Sequence, residues 1–469
     1  MHLTLQGHDR YFAVEQSLLN YFPPNAPGTA ISKLSQGALW QTASAVIGFE
    51  GKRAKGFSRA KPGDNPDHAL KTAFYRAARQ LTEPPPWGAL TGIRPAKKAL
   101  EILKTGLDPI RELKLRYDVA EPQARLAAGC ADFAWELEKK LSPYDISLYI
   151  GIPFCPSKCA YCSFISTAAP KQKHLIGKYC STLSREIRQA GELCKKLGLR
   201  VRTVYWGGGT PTVLSPEELR LVFAALGESF DLNGTWEYTV EAGRPDTITE
   251  EKSGILKSHE TTRISINPQS LSPEVLAAVG REHTPEMFFE AFSIARKTGF
   301  ESINADIIAG LPGDTAESFR HTLEGLVGLY PENITVHTLA KKKGSRVMED
   351  NIPGGNADVV EESLDFAEKA LLGNGYLPYY LYRQKFTSGG RENVGWSLAG
   401  KQGLYNLCMM EELSTILALG AGGVTKLVDP ATNRIERFFQ CKYPLEYLER
   451  CDKINENLNM FEKFCRNKL

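Results

Sequence analysis

The feature that most constrains the fold of this chain is a regular alternation of short apolar segments with longer amphipathic segments between residues 146 and 337. The short segments have strand length, and the long segments have the apolar spacing of helices. Such an alternation predicts a parallel sheet with helices between its strands. The predicted strands are Ser147–Gly151, Thr203–Trp206, Glu237–Glu241, Arg263–Asn267, Ser302–Ile307 and Asn333–His337.

The length of each repeat indicates a barrel that is incomplete. Six strand–helix units occupy about 32 residues each, and a full eight-unit barrel uses about 31 residues per unit. The predicted helices include Lys173–Leu197, Pro216–Leu226, Pro273–Val279, Pro285–Thr298 and Thr315–Leu326. We therefore predict an α/β fold with a partial (βα)6, TIM-like barrel over residues 146–340, open along one side.

The regions on either side of this barrel do not follow its rhythm. Residues 1–145 are predicted to form a separate α+β domain, with strands at His2–Leu5 and Thr42–Phe49 and a helix at Ala69–Leu81. Residues 341–469 are predicted to form an α+β extension that covers the active site. The sequence indicates no role for the first domain.

A cluster of three cysteines follows the first predicted strand of the barrel. The segment IPFCPSKCAYCSF has the spacing Cys155-x3-Cys159-x2-Cys162, and it lies where barrels of this type place their active sites. Zinc prefers four ligands, and the nearest downstream histidine, His174, falls in a predicted helix. Iron–sulfur clusters are held by thiolates. The pattern favours an iron–sulfur cluster over zinc, and over three merely buried cysteines.

Composition restricts the class of protein. Lys and Arg number 57 against 54 Asp and Glu, a net charge of +3. This balance gives no support to a nucleic-acid partner, although local basic patches are compatible with it. The chain has ten cysteines, too few for a disulfide scaffold of this length. With no apolar run long enough to span a bilayer, the sequence predicts a cytoplasmic protein.

The second and third strands are followed by residues suited to binding a small molecule. Gly207, Gly208 and Gly209, followed by Thr210, allow a close backbone approach to a ligand, with N–H groups available to it. A simple tight turn is the alternative. Glu241 ends the third strand, where burial of its carboxylate requires a partner. That partner is a ligand or, alternatively, Arg244 or Arg263.

Three further polar residues follow later strands. Gln269, after strand four, can donate and accept hydrogen bonds. Arg281 carries a guanidinium suited to a carboxylate, and a surface ion pair with Glu282 or Glu286 is the alternative. Asp306 ends strand five. Because the carboxyl ends of parallel strands share one edge, these side chains are predicted to converge.

These motifs resemble a known family. The C-x3-C-x2-C spacing, with an aromatic residue before the last cysteine, is similar to the signature of radical S-adenosylmethionine (SAM) enzymes. The run SLYIGIPFC…YCSF resembles the oxygen-independent coproporphyrinogen III dehydrogenase (oxidase) branch. The segments PWGALTGIRP and YYLYRQK…ENVGW resemble its HemZ-like subgroup. The resemblance covers about Tyr149 to His337 and extends into the C-terminal third.

The resemblance implies cofactors and the residues that hold them. It implies a [4Fe–4S] cluster bound by Cys155, Cys159 and Cys162, and one or two SAM molecules. It implies a tetrapyrrole substrate and an electron donor such as flavodoxin or ferredoxin. The residues implied to contact SAM are Tyr149, Tyr161, Gly208, Gly209, Thr210, Glu241, Gln269, Arg281 and Asp306.

The implied reaction is oxidative decarboxylation of the propionates of coproporphyrinogen III to the vinyl groups of protoporphyrinogen IX, in haem biosynthesis. The sequence departs from some members at Phe164, where they carry a fourth cysteine. A haem chaperone of the same family is one alternative. That group typically shows a His-Asn-x-x-Tyr-Trp motif; within Arg391–Trp396 of this chain Asn393 and Trp396 are present, whereas the His and Tyr are not. A radical SAM haem methyltransferase is the other.

Overall fold

The computed structural model describes the chain except for residues 20, 23, 24, 92, 93, 165, 166, 385, 386, 388, 389, 430, 431, 433 and 469. The described residues form two compact units. The smaller unit contains Met1–Ala131, together with Arg383 and Arg391 from a later part of the chain. The larger unit contains Asp132–Tyr382 and most of the chain from Glu392 onward.

The smaller unit is built on a four-stranded sheet in the order β1-β2-β3-β4. Strands β1 and β2 are parallel, and the other pairs are antiparallel. Its elements are β1 (His2–Gln6), α1 (Tyr11–Leu19), β2 (Thr29–Gln36), β3 (Gln41–Phe49), β4 (Lys52–Ala60), α2 (Asp67–Ala78), α3 (Pro95–Leu103), α4 (Pro109–Tyr117) and the first part of α5 (Glu121–Glu138). The strands predicted at His2–Leu5 and Thr42–Phe49 and the helix predicted from Ala69 are therefore present. The helix ends three residues before the predicted Leu81.

Small side chains let α1 and α2 pack closely on one face of this sheet. The inward positions of β3 are Ala43, Ala45 and Ile47, all buried in a core with Leu70 and Phe74 of α2. Alternate residues of β2 and β3 are buried, as expected when only one face of a sheet is covered. The charged segment KRAKGFSRA of β4 lacks an apolar pattern, and the sequence did not predict it as a strand.

The larger unit is built on an 11-stranded sheet whose centre is parallel. Its order is β13-β14-β12-β11-β10-β9-β8-β5-β15-β16-β17. Its strands are β5 (Asp145–Ile152), β8 (Arg200–Gly208), β9 (Glu237–Glu241), β10 (Arg263–Ser265), β11 (Ser302–Ala309), β12 (Asn333–Thr338), β13 (Leu377–Arg383), β14 (Glu392–Ser397), β15 (Thr415–Leu419), β16 (Val424–Asp429) and β17 (Arg434–Phe439). Two short strands, β6 (Phe154–Cys155) and β7 (Thr167–Ala168), pair separately.

The helices of the larger unit connect these strands. They are α6 (Ala169–Lys196), α7 (Pro216–Ser229), α8 (Glu250–Ser258), α9 (Pro273–Ala278), α10 (Pro285–Thr298), α11 (Ala316–Leu329), α12 (Arg346–Glu349), α13 (Ala357–Gly373), α14 (Leu404–Glu411), α15 (Pro444–Glu449) and α16 (Cys451–Lys468). Among the described helices of the whole chain, none combines the length and apolarity that a membrane crossing requires.

The six predicted barrel strands are all present. They correspond to β5 and β8 through β12, which pair in parallel in the order in which they occur along the chain. Each consecutive pair is joined by at least one helix, which is the (βα)6 pattern. The predicted α/β partial barrel is therefore confirmed.

The C-terminal third completes both ends of this sheet. Strand β14 is antiparallel to β12, whereas β15 is parallel to β5 at the opposite end of the six. These pairings place most of the predicted C-terminal extension, 341–469, in the same unit as the barrel. The two units divide between Ala131 and Asp132, within α5, whereas the sequence predicts a boundary at 145/146. Pairing between strands far apart in the sequence, and a unit boundary inside a helix, do not change the local amino-acid composition. They are therefore not predictable from it.

Helix α2 packs so closely on β4 that position 56 requires glycine. A Cβ atom on Gly56 would lie 2.0 Å from the carbonyl oxygen of Ala73 and 2.6 Å from the backbone nitrogen of Ala77. We expect Gly56→Ala to lower the free energy of unfolding by about 1–3 kcal/mol, because helix and strand must move apart. Urea unfolding followed by circular dichroism measures the change.

Gly177→Ala is the matched control for this substitution. Gly177 lies on the exposed side of α6, with no atom within 4 Å of the added Cβ, so helix propensity predicts unchanged or slightly higher stability. Equal stability of Gly56→Ala and the wild-type chain would contradict the packing described.

Candidate active site

The parallel strands bring the predicted site residues to one edge of the sheet. Tyr149 lies on β5, Gly208 ends β8, Glu241 ends β9 and Asp306 lies in the second half of β11. Gln269 follows β10, and its backbone N–H donates to the Asp306 carbonyl oxygen (3.0 Å), which extends the pairing with β11. Because the strands are parallel, their carboxyl ends face the same side.

The cysteine loop is fixed to the glycine turn by main-chain hydrogen bonds. The N–H of Gly209 donates to the carbonyl oxygen of Ile152, and the N–H of Thr210 donates to that of Phe154, each with an N···O distance of 2.7 Å. The Thr210 hydroxyl lies 3.5 Å from Cys155 Sγ. The N–H of Gly209, one of the glycine N–H groups expected to face a ligand, therefore already donates to a carbonyl of the chain, whereas contact of Gly208, Gly209 and Thr210 with SAM stays a prediction.

The same turn explains why glycine is needed there. A Cβ on Gly209 would lie 2.4 Å from the Phe154 carbonyl oxygen, and one on Gly208, whose φ is +102°, would lie 3.1 Å from the Tyr149 hydroxyl. The glycines therefore let the backbone of β8 approach both the cysteine loop and Tyr149. The sequence predicts that these glycines allow the backbone to come close to a ligand. In the structure the groups that come close are the Phe154 carbonyl and the Tyr149 hydroxyl of the chain itself.

Arg281 is buried and holds the cysteine loop against two strand ends. Its Nη2 donates to the carbonyl oxygens of Gly243 (2.8 Å) and Asn267 (2.6 Å). Its Nη1 donates to the Tyr161 hydroxyl over 3.0 Å and lies 3.9 Å from Cys159 Sγ.

The remaining donor of Arg281, its Nε, faces His283 Nδ1 at 3.3 Å. All five N–H groups of the guanidinium therefore have partners. The alternative ion pair with Glu282 or Glu286 is not present, and a ligand carboxylate would have to displace one of the five contacts.

The thiols of the cysteine loop form a donor set suited to an iron–sulfur cluster. Cys159 is buried, and Cys155 and Cys162 are partly buried. Burial, followed by the negative charges of the Cys159 and Cys155 thiolates, raises the pKa of Cys162 to about 11. A bound metal deprotonates a coordinating thiol and so reverses this shift.

A zinc site requires a fourth ligand, and the structure offers none beside the loop. His174 is exposed on α6, as the predicted helix implies. Among the described residues, no three His, Cys, Asp or Glu side chains form a group that could hold a single metal ion. Three thiols on one loop match the ligands of a cluster better than those of zinc.

The two carboxylates of the site differ in acidity. Burial raises the pKa of Glu241 to about 7, with a further increase from the charge of Asp306, while a hydrogen bond from Tyr205 opposes the shift. Burial also raises the pKa of Asp306. Hydrogen bonds from His337, Asn304 and Thr335, together with the charge of His337, outweigh this effect and hold the pKa of Asp306 below its ordinary value. Neither carboxylate forms an ion pair with Arg244 or Arg263. Arg244 pairs with Asp246, and Arg263 donates a hydrogen bond to the side chain of Asn333.

Nη2 of Arg263 and Nε2 of His283, the neighbour of Arg281, are buried without a hydrogen-bond partner in the described part of the chain. The same holds for Oε1 of Gln269 and for the hydroxyl of Tyr405. Gln269 also has a φ of +66°, a strained value for a residue other than glycine. A buried polar atom without a partner is costly, and strained backbone tends to occur at functional positions. Oε1 of Gln269 and the hydroxyl of Tyr405 therefore fit a bound ligand with complementary polar groups.

Three residues of the site were not predicted. The hydroxyl of Tyr205 donates to Glu241, and the ring of Tyr405 stacks on Tyr205 with centroids 4.4 Å apart. His337 Nε2 lies 3.7 Å from Asp306 Oδ2. The position of His337 at a predicted strand end was an available signal. Tyr405 lies on α14, far along the chain, and no local pattern indicates its place.

Comparison with known proteins agrees with this architecture. A sequence profile of the radical SAM superfamily matches residues 149–326. The chain is 40% identical over 390 residues to the "oxygen-independent coproporphyrinogen-III oxidase-like protein HemZ" of Bacillus subtilis (strain 168), which covers 80% of this chain and 78% of the relative.

Two further similarities involve shorter or more distant matches. The chain is 32% identical to the "heme chaperone HemW" of Lactococcus lactis subsp. lactis over 241 residues, which cover 50% of this chain and 60% of the chaperone. The solved structure of coproporphyrinogen III oxidase (HemN) from Escherichia coli superposes with a TM-score of 0.55 at 24% identity, over 71% of this chain and 72% of that one. This likeness supports the fold.

The contacts of Arg281 predict that it stabilises the cysteine loop. We expect Arg281→Ala to speed hydrogen–deuterium exchange of peptides within 152–164, because Gly243 O and Asn267 O lose their donor and the loop loses its anchor at Tyr161. The amount of iron retained after anaerobic reconstitution should fall in parallel.

Arg296→Ala serves as the control, since Arg296 pairs with Glu332 and contacts no loop residue. Arg281→Lys keeps the charge but not the five-fold donor geometry, so it should show an intermediate increase in exchange. Wild-type exchange and full iron content in Arg281→Ala would contradict the anchoring role.

Proposed function

Because the chain belongs to the radical SAM superfamily, within the oxygen-independent coproporphyrinogen III oxidase-like group that includes HemZ, we propose that it converts the propionates of coproporphyrinogen III to the vinyl groups of protoporphyrinogen IX. The observation that carries this proposal is the convergence of the three-cysteine loop with Glu241, Gln269 and Asp306 at one edge of the sheet. The superfamily uses a [4Fe–4S] cluster and SAM.

The cysteine loop is proposed to hold the cluster through Cys155, Cys159 and Cys162. A bound, reduced cluster would supply the electron for reductive cleavage of SAM, and the group so formed would abstract hydrogen from the substrate. Arg281, which lies 3.9 Å from Cys159 Sγ, fixes the loop from one side, and Thr210 supports Cys155 from the other. Both residues act on the position of the loop.

The two carboxylates are proposed to hold opposite ends of SAM. An ionised Glu241, aligned by the Tyr205 hydroxyl, suits the positively charged amino group of the methionine moiety. Asp306, held ionised by His337 and Asn304, suits the ribose hydroxyls. Gln269 Oε1 can accept a hydrogen bond from the same ligand, and Tyr149 and Tyr161 are proposed to border it.

The proposed substrate change is the same at each of two propionates. Each would lose carbon dioxide, one hydrogen atom to the 5′-deoxyadenosyl group and one electron to an external one-electron acceptor, and a vinyl group would remain. We propose that a small reductant protein such as flavodoxin or ferredoxin supplies the electron for SAM cleavage, and that the reaction takes place in the cytoplasm. The identity with HemZ supports this assignment.

Haem transport is the second candidate, because a haem chaperone is among the relatives. Asn393 and Trp396, which are residue types of the chaperone motif, both have structural contacts inside the protein. Asn393 is fully buried and accepts from the N–H of Thr338 and donates to Tyr382 O. Trp396 is buried in β14, opposite Ile334. These contacts favour the enzymatic proposal.

The raised pKa of Glu241 predicts a pH dependence of SAM binding. Glu241 with a pKa of about 7 is mostly protonated at pH 6 and ionised at pH 8. If the ionised form binds the ammonium group, affinity should rise severalfold from pH 6 to pH 8, and by less than tenfold because the α-amino group of SAM begins to lose its own proton near pH 8. Anaerobic calorimetry on the reconstituted protein measures the dissociation constant at each pH.

Two variants separate the contributions of the carboxylates. Glu241→Gln should bind SAM weakly and equally at both pH values. Asp306→Asn should weaken binding but keep the pH dependence, because the pKa of Asp306 is already below its ordinary value. A wild-type dissociation constant that is the same at pH 6 and pH 8 would argue against the role given to Glu241.

The reaction is tested by anaerobic incubation with dithionite, SAM and coproporphyrinogen III. We expect protoporphyrinogen IX, carbon dioxide and 5′-deoxyadenosine, all lost in the Cys155→Ala/Cys159→Ala/Cys162→Ala variant. SAM cleavage without a vinyl product would refute the proposed substrate. Stoichiometric haem binding without turnover would instead support the carrier, and methyl transfer to the macrocycle would support the methyltransferase.

A further inference from the structure

One face of the N-terminal sheet is open to solvent. Helices α1 and α2 cover the face formed by residues such as Ala30, Ala43 and Ala54, which are buried. The alternate residues of β2, β3 and β4 point away from these helices and are exposed or partly exposed. The open face is therefore a surface of four strands, β1 to β4, without a covering layer.

The open face carries positive charge only. Lys33 on β2 and Arg53, Lys55 and Arg59 on β4 are exposed. The four strands, all of which lie within the described residues, contain no Asp or Glu. In the described part of the chain, none of these four cations forms an ion pair with an acidic side chain. Their charge is available to an anionic partner. The net charge of the whole chain, +3, does not indicate this local patch because acidic residues elsewhere balance it.

An aromatic side chain lies within this basic row. Phe57 is 58% exposed, and Lys55 and Arg59 flank it on the same face at a strand spacing of two residues. In the sheet register Phe57 lies opposite Ser44, which lies opposite Lys33. The small side chain of Ser44 leaves one surface of the phenyl ring uncovered by its cross-strand neighbour.

The edge of β4 is less available than its face. Arg76 of α2 donates to Phe57 O over 2.8 Å, and Gln80 donates to Lys55 O over 2.8 Å. These hydrogen bonds occupy the carbonyls that an added strand would use. A partner of this surface is therefore expected to contact outward side chains rather than extend the sheet.

We propose that this open face binds single-stranded nucleic acid. Lys and Arg contact the phosphates, and an exposed aromatic ring on a sheet stacks with a base, the combination by which sheet surfaces recognise single strands. An acidic protein would use the cations but has no need of the exposed ring, and the bases of a duplex are already stacked on one another. The charge pattern and the aromatic residue together favour a single strand.

The test uses the full chain and a fluorescein-labelled 12-nucleotide oligouridylate, followed by fluorescence anisotropy at several salt concentrations. Lys55→Glu/Arg59→Glu should weaken binding and reduce the slope of log K against log salt by about 1.4, since each phosphate contact on a single strand contributes about 0.7. Phe57→Ala should weaken binding about tenfold through lost stacking, and Phe57→Tyr should restore it.

Lys104→Glu/Arg111→Glu is the matched control, because it reverses two charges elsewhere in the same unit and should leave binding unchanged. Unfolding curves of all variants establish that each is folded. Absence of oligouridylate binding would overturn the proposal. So would full affinity in Phe57→Ala, or equal affinity for a 12-base-pair duplex, polyglutamate or phosphatidylserine vesicles, because these outcomes require charge alone.

Discussion

The site depends on a main-chain contact between β8 and the loop after β5. The N–H of Gly209 donates to the carbonyl oxygen of Ile152, and the N–H of Thr210 donates to that of Phe154. These two hydrogen bonds continue the pairing of β5 and β8 past the end of β8. The cysteine loop is thus attached directly to the paired strands β5 and β8. A side chain at position 209 would collide with the Phe154 carbonyl, so this contact requires the absence of a Cβ.

Several polar groups around this contact are held by partners from other elements of the barrel. Arg281 joins the ends of β9 and β10 to the loop through Gly243, Asn267 and Tyr161. Tyr205 of β8 orients Glu241 of β9, and His337 of β12 lies beside Asp306 of β11. Such cross-strand support limits the rotamers of the site and prepares it for a ligand.

Much of this arrangement was predictable from sequence, and the remainder has physical causes. Glu241 and Asp306 were found because a carboxylate in the carboxyl-terminal half of an otherwise apolar parallel strand lies toward the edge where barrels of this type place their sites; β11 continues past Asp306 to Ala309, so the prediction that Asp306 ends its strand was wrong. The partners of Arg281 were not predicted. A guanidinium that is suited to a carboxylate can equally donate hydrogen bonds to backbone carbonyl oxygens, as it does here to Gly243 and Asn267. Tyr405 and the pairing of β15 with β5 depend on contacts across more than 250 residues of chain. Strand β4 was missed because its buried positions are Ala54 and Gly56, which carry little apolar signal.

The position of β14 and β15 has a consequence for biosynthesis. These strands flank the six barrel strands at opposite ends, and both come from the last part of the chain. During translation, therefore, β5 and β12 leave the ribosome with unpaired backbone edges that only later residues cover. Unpaired edges are templates for association with other chains. The nascent barrel is thus exposed to misassembly until synthesis is nearly finished, and a chain that stops early keeps both edges open.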